Sequence, residues 1–255
     1  MRFLYSARAT LLGALLLAGA SGTAAAQATS TPAKWENTFT LYGWAAAMAG
    51  TTGVGNATAS VDVPFSDILS NLKMGAMLNY QGRGEKWVAA ADFIYMKLGS
   101  DLAVPQTGTT VASIRVKEWM VEADGGYRVT PWLDALVGIR IPILEAEITP
   151  DLNIPAASEK SSTQSWVAPV IGARAVLPFG KKFTGIVRGD VGGFDLGGTN
   201  TTWQAAGYVN YAFGKGWSGL VGYRDIYVNY KSSDTPAFQY DMNNFGPVFA
   251  ISYTF

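Results

Sequence analysis

The sequence predicts an all-β protein that closes into an antiparallel transmembrane β-barrel of about ten strands, within a range of roughly 8 to 12. Three observations predict this fold class. Runs of about a dozen residues alternate polar and apolar side chains, the connectors between runs alternate short and long, and the composition combines 29 Gly in 255 residues with 13% aromatic residues. This Gly content exceeds the usual share of about 7%, and Gly with many aromatics favours β structure.

The first 26 residues have the three parts of a secretory signal peptide. Arg2 and Arg8 form the positive start, residues 9–20 are apolar, and Ala24-Ala25-Ala26 offers a small-residue cleavage site. The apolar part is about 12 residues long, whereas a membrane-spanning helix needs roughly 20. We therefore predict a cleaved signal peptide over 1–26, a periplasmic N-terminal linker over 27–34 and the barrel over 35–255.

The charge balance and the absence of Cys limit the chemistry. The chain has 19 Lys and Arg against 19 Asp and Glu, and removal of Arg2 and Arg8 leaves 17 against 19, a net charge of −2. This balance does not favour nucleic acid as a partner, and a chain without Cys has no disulfide, thiol ligand or thiol nucleophile. We expect no cofactor and no metal site.

From Trp35 onward the sequence contains ten runs of strand length. No later stretch is apolar enough for a spanning helix, so a membrane protein of this sequence must be a closed barrel. The runs are Trp35–Ala49, Leu72–Gly82, Trp87–Leu98, Ser113–Arg128, Trp132–Leu144, Ser165–Leu177, Phe183–Phe194, Thr201–Phe213, Trp217–Tyr230 and Asn244–Phe255.

The connectors predict which end of the barrel is which. Short ones cover 83–86, 129–131, 178–182 and 214–216, and long ones lie near 50–71, 99–112, 145–164 and 231–243. Short periplasmic turns opposite long external loops are typical of outer-membrane barrels. An even number of strands places both termini at the periplasmic end.

Residue parity separates two faces because neighbouring side chains on a strand point to opposite sides. In the fifth run Leu133, Val137 and Ile139 share one face, while Asp134 and Arg140 share the other. The second run places Lys73 with the polar face. Four charges break the apolar parity at about 9 to 13 residues from the short turns, which is the distance that crosses the hydrocarbon layer; they are Arg115, Lys117, Asp195 and Asp225.

Aromatic residues flank every short turn. Rings at headgroup level form the girdle of such barrels. They are Tyr80, Trp87, Tyr127, Trp132, Phe179, Phe183, Phe213 and Trp217. Pro169 and Pro247 lie inside runs, where a missing N–H is unfavourable. We expect either β-bulges at these positions or a strand count that differs by one pair.

The polar face carries a set of acids and arginines that the parity places in the lumen. It comprises Asp92, Glu118, Glu122, Asp124, Arg128, Asp134, Arg140, Arg174, Arg188, Asp190 and Arg224. Charges in a low-dielectric tube need partners, and an Arg can bridge two carboxylates. Two interpretations follow: a salt-bridge network that fills a small barrel, or a narrow pore whose charges orient a small solute.

The first external loop contains an apolar segment. Ser66 can cap a short helix that presents Phe65, Ile68, Leu69 and Leu72. These four side chains either constrict the barrel mouth or lie on the outer rim.

The last run carries Phe249, Ile251, Tyr253 and Phe255 on one face, which resembles the C-terminal assembly signal that the barrel-insertion machinery recognises. The chain from 27 onward resembles small, OmpA-like or porin-like outer-membrane barrels of Gram-negative bacteria. Two segments, 65–72 and Trp217–Tyr230 with Gly222-Tyr223-Arg224, are similar to a widespread proteobacterial group. The resemblance implies the bacterial outer membrane, with lipid and lipopolysaccharide as neighbours, and implies no activity.

Function divides into two classes. The sequence has no His, and the familiar outer-membrane hydrolases, acyltransferase and omptin proteases rely on a His as base or partner, so we expect no enzyme. The chain is then a narrow porin-like channel or a lumen-plugged barrel. The alternative is a structural or surface-interaction, adhesin-like protein without transport activity.

Overall fold

The computed structural model describes residues 35–103, 110–150, 160–196 and 198–255. The predicted signal peptide (1–26) and linker (27–34) lie outside these residues. The described chain forms thirteen strands and one short helix. They are β1 (Glu36–Trp44), β2 (Ala47–Val54), β3 (Ala57–Val63), α1 (Phe65–Asn71), β4 (Leu72–Arg83), β5 (Trp87–Ala103), β6 (Thr110–Thr130), β7 (Leu133–Pro150), β8 (Lys160–Ser165), β9 (Ala168–Phe179), β10 (Phe183–Leu196), β11 (Thr199–Gly214), β12 (Trp217–Lys231) and β13 (Phe238–Thr254).

Ten wall strands close into a barrel. Their order is β1, β4, β5, β6, β7, β9, β10, β11, β12 and β13, and β13 pairs back onto β1. All these pairs are antiparallel, and Phe39 opposite Tyr253 lies in the closing ladder. The structure therefore confirms the predicted fold class and the number of strands.

The other three strands extend this wall. β2 continues β1 along the upper part of β13, β3 returns along β2 as a hairpin, and β8 precedes β9 on the same edge of β7. The four tight turns and both ends of the described barrel lie at one end of the strands. The sequence placed residues 50–63 in a loop, whereas the structure continues the sheet through them.

Proline interrupts the wall without shifting its register. Between β1 and β2 the ladder breaks at residues 45–46, where Ala45 N donates to Pro247 O at 2.9 Å and Pro247 has no N–H to return. The register of β13 is the same with β1 and with β2. The predicted bulge at Pro247 is therefore wrong.

A proline on the neighbouring strand also marks the break between β8 and β9. Trp166 N donates to Pro142 O at 3.3 Å, and the register with β7 is unchanged on both sides of this break. Pro169 lies just beyond the end of the β9–β10 ladder, which stops at Val170. The missing N–H of Pro169 thus falls at a strand end, and the predicted bulge at this position is also wrong.

The outward face is a continuous apolar surface. Val137 is 61% exposed, and side chains of the same kind surround the barrel at this level. They include Leu41, Leu78, Ile139, Ile171, Val187, Val191, Val209, Val221, Phe249 and Ile251. An apolar exterior around a polar interior is the arrangement of a transmembrane barrel.

Aromatic rings form a girdle at the short-turn end. Neighbouring rings contact one another across strands: Trp87 lies 5.3 Å from Tyr127 and Trp217 lies 4.9 Å from Tyr253. Phe179 and Phe183 stack across one turn at 5.8 Å. The girdle marks the level at which this end of the barrel meets the lipid headgroups.

Helix α1 connects the β2–β3 hairpin to β4 and contacts β2 and β5. The predicted Ser66 cap is wrong, because Pro64 occupies the N-cap position and the Ser66 hydroxyl donates to Asp67 Oδ1 at 3.1 Å. Within the described ranges, no helix is long and apolar enough to cross a membrane.

Candidate functional site

The strand alternation directs the predicted lumen charges toward the barrel axis. Nine of the eleven side chains are buried, and Arg128 and Arg188 are partly exposed. Ten of the eleven form ion pairs with one another or with Arg83, and Glu118 is the exception among the described residues. The structure thus brings together almost the whole predicted set.

The central part of this network joins β6, β7 and β10. Arg140 donates from Nε to Glu122 Oε2 at 2.6 Å and from Nη2 to Asp190 Oδ1 at 2.8 Å. Arg188 donates to the same two carboxylates and, at 2.9 Å, to Asp124 Oδ2. Each arginine therefore bridges Glu122 and Asp190, which is the geometry that guanidinium forks favour.

The network continues across the lumen to the opposite wall. Gln204 donates to Asp190 Oδ2 at 3.0 Å and accepts from Arg224 Nε at 2.8 Å. Arg224 then donates to Asp92 Oδ2 at 2.6 Å, and the Tyr42 hydroxyl donates to the same carboxylate at 3.0 Å. We call the connected residues the charge belt; they are Asp92, Glu122, Asp124, Arg140, Arg188, Asp190, Gln204 and Arg224.

A second cluster lies nearer the short turns, around Asp134. This carboxylate is fully buried, and it accepts from Arg174 Nη2 at 2.9 Å and from Arg83 Nη2 at 3.3 Å. Arg128 Nε lies 3.9 Å from Asp134 Oδ1, while its other nitrogens donate to the Gly84 and Pro131 carbonyls. Three cations around one carboxylate make this cluster locally basic.

An apolar layer lies above the belt, on the side of the external loops. On the same strands it occupies positions two residues farther from the short turns: Ile94 follows Asp92, Met120 precedes Glu122 and Ile226 follows Arg224 along the chain. The layer consists of Trp44, Ile94, Met120, Trp166, Ile226, Val228, Tyr230, Tyr240 and Met242, together with Val248, which also lines the cavity below the belt. All ten side chains are buried, so the outer half of the lumen is filled.

Some polar groups in the apolar layer lack partners. Glu118 is 8% exposed and has no ion pair or hydrogen bond within the described ranges. The ring nitrogens of Trp44 and Trp166 and the amide nitrogen of Asn244 are buried and likewise form no hydrogen bond there. An unpaired buried carboxylate is unfavourable. Glu118 differs in this respect from the other lumen acids, which form ion pairs.

A polar cavity of about 310 Å³ lies between the belt and the short-turn end. Hydroxyl and amide side chains of β1, β4, β11 and β13 line it, including Thr38, Asn79, Asn210 and Ser252. Asp92, Arg188 and Arg224 form its inner end. The inner half of the lumen therefore contains a polar cavity up to the belt, and buried side chains fill the outer half.

The two other predicted sets lie away from the network. Phe249, Ile251, Tyr253 and Phe255 are all exposed on the outward face, as the parity predicts; their role in assembly remains a prediction. Of the proposed mouth residues Ile68 alone is buried, at 5% exposure, while Phe65, Leu69 and Leu72 are exposed. The predicted constriction of the barrel mouth by all four side chains is therefore wrong.

Several contributors to the network were not predicted from the sequence. Arg83 ends β4 and points inward, although the sequence placed it in a turn. Tyr42, Gln204 and Thr202 complete the hydrogen bonding. Gln204 has the inward parity of its run, and Tyr42 shares the parity of Thr38 and Thr40 in the first run. Strand alternation was therefore the available signal for both. In the described part of the chain, no group of three or more acidic side chains could hold a metal ion.

No protein-family model matches the chain, and no curated protein matches its sequence. Solved outer-membrane barrels are similar in structure. The outer membrane protease OmpT from Escherichia coli has a TM-score of 0.54 at 12% identity, over 88% of this chain and 98% of OmpT. The translocator domain of the autotransporter NalP from Neisseria meningitidis has a TM-score of 0.45 at 13% identity, over 88% of this chain and 89% of that domain.

Ail, the attachment invasion locus protein of Yersinia pestis, has a TM-score of 0.40 at 10% identity, over 87% of this chain and 98% of Ail. At these identities the likeness to OmpT shows the fold alone, a closed β-barrel of the outer-membrane type.

Proposed function

We propose that this chain is an integral protein of the bacterial outer membrane whose lumen is plugged by its own side chains, and that it acts as a structural or surface-interaction barrel. The observation that carries the proposal is the stack of two closed layers, the charge belt and the apolar layer above it. Solutes crossing the barrel would have to separate both.

The belt differs from the charged rings of an open channel. A channel presents its charges to water, whereas Arg140 is fully buried and Glu122 is 1% exposed. Their hydrogen-bonding groups are directed at one another. Removing one member leaves a buried charge uncompensated, so the belt favours a fixed, closed arrangement over a mobile gate.

The external end offers the surface for interaction. β5, β6 and β7 have 17, 21 and 18 residues, more than the roughly 9 to 11 that cross the hydrocarbon layer. The β2–β3 hairpin adds a polar extension at the same end. These strands carry the external loops away from the membrane, where a partner on the outside can reach them.

No catalytic activity forms part of the proposal. The chain has no His, and the lumen carboxylates of the belt are engaged with arginines. The barrel-assembly machinery is the proposed partner during biogenesis, through the outward residues Phe249, Ile251, Tyr253 and Phe255. Cleavage of residues 1–26 on export belongs to the same proposal.

The polar cavity favours a second candidate, a narrow channel for small solutes. Its volume of about 310 Å³ is large enough for water and small polar molecules next to the belt. The unpartnered Glu118 lies just above the belt, where a permeating cation would find a carboxylate. For conduction, however, the apolar layer would have to open.

Single-channel recording tests the proposal. The protein from residue 27 onward is refolded and inserted into a planar lipid bilayer, after a heat-modifiability gel verifies the folded barrel. We expect no discrete conductance steps from the wild type. A triple variant that replaces Met120, Ile226 and Met242 with Gly removes three of the ten side chains of the apolar layer and is the positive control for a detectable pore.

Conductance steps from the wild type would overturn the plugged-lumen proposal if they change in Arg140→Ala or Arg188→Ala. The matched control is Arg115→Ala on the outward face, which must leave any current unchanged. Together these variants distinguish passage through the lumen from leakage around the barrel.

A further inference from the structure

A row of four cations lies on the outward face at the external end of the barrel. Lys97 and Lys117 are directly opposite each other on β5 and β6, and Arg115 follows on β6 at the next outward position. Lys73 from β4 joins them. We call Lys73, Lys97, Arg115 and Lys117 the cationic row.

Lys73 reaches this face through a bulge. The register of β4 with β5 shifts between Leu72 and Met74, which moves Lys73 from the polar face, where the sequence placed it, to the outside. A Cβ built on the outward position Gly99 would lie 3.0 Å from Lys73 Cε. The Lys73 side chain therefore lies over Gly99, beside Arg115 in the neighbouring ladder.

The row has more positive charge than its neighbours neutralise. Lys117 Nζ lies 2.8 Å from Glu145 Oε2, and Arg115 Nη1 lies 3.3 Å from Glu147 Oε1. Lys73 and Lys97 have no ion pair within the described ranges. Like charges directly opposite on adjacent strands are destabilising, so the Lys97–Lys117 pair favours an anion bound from outside the chain.

The height of the row matches a layer of headgroups. Lys97 lies ten residues beyond Trp87, and Lys117 lies ten residues before Tyr127, both counted from the aromatic girdle. About 9 to 11 tilted strand residues cross the hydrocarbon layer. The cationic row therefore lies at the far headgroup level, which is the outer leaflet when the short turns face the periplasm.

Aromatic side chains lie directly below the row. Trp119 contacts Tyr95 at 4.2 Å and Phe93 at 5.6 Å between ring centroids. All three rings lie on the outward face. Tyr95 and Trp119 lie two residues closer to the girdle than Lys97 and Lys117, and Phe93 lies four residues closer than Lys97. Amphipathic rings of this kind contact the boundary between acyl chains and headgroups. An amphiphile with an anionic headgroup fits the cations and rings together.

Acidic side chains lie on another part of the outward face. At a comparable outward level β12 and β13 carry Asp225 and Asp241, and Asp241 Oδ2 accepts from Asn229 at 3.1 Å. β12 and β13 together carry one outward cation, Lys231, against these two acids, whereas the row places four cations on three adjacent strands. The asymmetry points to one lipid held at one place.

We infer that the cationic row, with Tyr95 and Trp119 below it, binds the phosphate groups of one lipid A molecule of lipopolysaccharide in the outer leaflet. The inference rests on the proposed outer-membrane placement. The row spans three adjacent strands, about 10 Å at the usual strand spacing. Lipid A has a phosphate at each end of its disaccharide, so its two separated anions can contact separated cations of the row. A glycerophospholipid has one phosphate and can contact only one part of the row.

Native mass spectrometry with defined lipids tests the inference. The folded barrel in detergent micelles is titrated separately with diphosphoryl lipid A, monophosphoryl lipid A and phosphatidylglycerol. The test variant is Lys73→Gln with Lys97→Gln, the two cations without an ion pair. The matched control is Lys86→Gln with Lys181→Gln, two exposed lysines at the short turns. A heat-modifiability gel verifies the folding of every sample.

We expect one diphosphoryl lipid A per barrel, bound at least about tenfold more weakly by the test variant and unchanged in the control, since each lysine at such a surface contributes about 1 kcal/mol. Equal affinity of wild type and test variant would overturn the site. Equal, lysine-dependent binding of phosphatidylglycerol would overturn the assignment to lipid A. Failure of the wild type to insert into vesicles would instead contradict the membrane placement.

Discussion

Arg140 Nε donates to Glu122 Oε2 at 2.6 Å across the β6–β7 ladder, and the two side chains are 0% and 1% exposed. They lie opposite each other in register, so the sheet itself fixes their approach. A pair of this kind is poor evidence of stability by itself, but breaking it leaves a buried charge uncompensated. The belt is therefore sensitive to single substitutions.

Arg140→Met is expected to lower the free energy of unfolding by about 3–5 kcal/mol, because Glu122 and Asp190 each lose one of their two arginines. The measurement is a urea titration of the barrel in lipid vesicles, followed by tryptophan fluorescence. Arg115→Met is the control, since its pair with Glu147 has side chains 48% and 31% exposed and contributes about 0–1 kcal/mol. Equal losses in both variants would contradict the belt as the basis of this sensitivity.

Glu118→Gln is expected to raise the free energy of unfolding at neutral pH by about 1 kcal/mol, since a neutral amide is less costly to bury without a partner than a carboxylate. The control is Glu122→Gln, the same change four residues farther along the same face of β6, which weakens two ion pairs. It should lower stability by more than about 2 kcal/mol. Loss of stability in Glu118→Gln would indicate that Glu118 has a stabilising partner.

The sequence predicted most of the inward set because a period of two persists in the long strands from β6 to β12. Asp92 is different, since β5 has apolar residues on both parities. Asp134 and Arg140 share a face in any strand that contains both, whatever the register of their neighbours. Which charges meet depends on the pairing of strands far apart in sequence: Arg224 reaches Asp92 across the lumen, 132 positions away. Parity predicts which face a side chain lies on, but it does not predict which side chains from distant strands will contact each other.

Local irregularities account for most of the remaining differences. The bulge at Lys73 reverses its face, and Arg83 belongs to a strand that extends one residue past its predicted end. The hairpin over residues 47–63 consists mainly of small residues and packs Met48 and Val61 against the apolar layer. Its sequence therefore lacks a clear polar and apolar alternation. Pro247 looked incompatible with a closed wall, yet one missing hydrogen bond was accommodated without a bulge.

Gly138→Ala is expected to destabilise the barrel by about 1–3 kcal/mol, because the added Cβ would overlap the side chain of Asp124 and the Ala123 carbonyl. Displaced Asp124 would also lose part of its contact with Arg188. Gly125→Ala is the control on the neighbouring strand, where a Cβ meets nothing within 4 Å. It should leave stability unchanged or raise it by up to about 1 kcal/mol. Unfolding titrations compare the two, and similar values would contradict the close packing of β6 on β7.

Val137→Lys tests whether the outward face contacts hydrocarbon. Val137 is 61% exposed and lies five residues from Trp132 in the girdle, about half of the strand length that crosses the membrane. A lysine at the midplane costs about 2–4 kcal/mol, whereas one near the interface costs about 0–1 kcal/mol. The matched control is therefore Val129→Lys, at 57% exposure beside a short turn.

Unfolding in vesicles of defined thickness should give a clear difference between these two lysine variants, and the difference should shrink when thinner lipids bring the interface closer to residue 137. Equal costs at both positions would mean that the apolar surface does not lie in hydrocarbon. The headgroup level assigned to Lys97 and Lys117 would then lose its basis, because it is counted along the same strands from the same girdle.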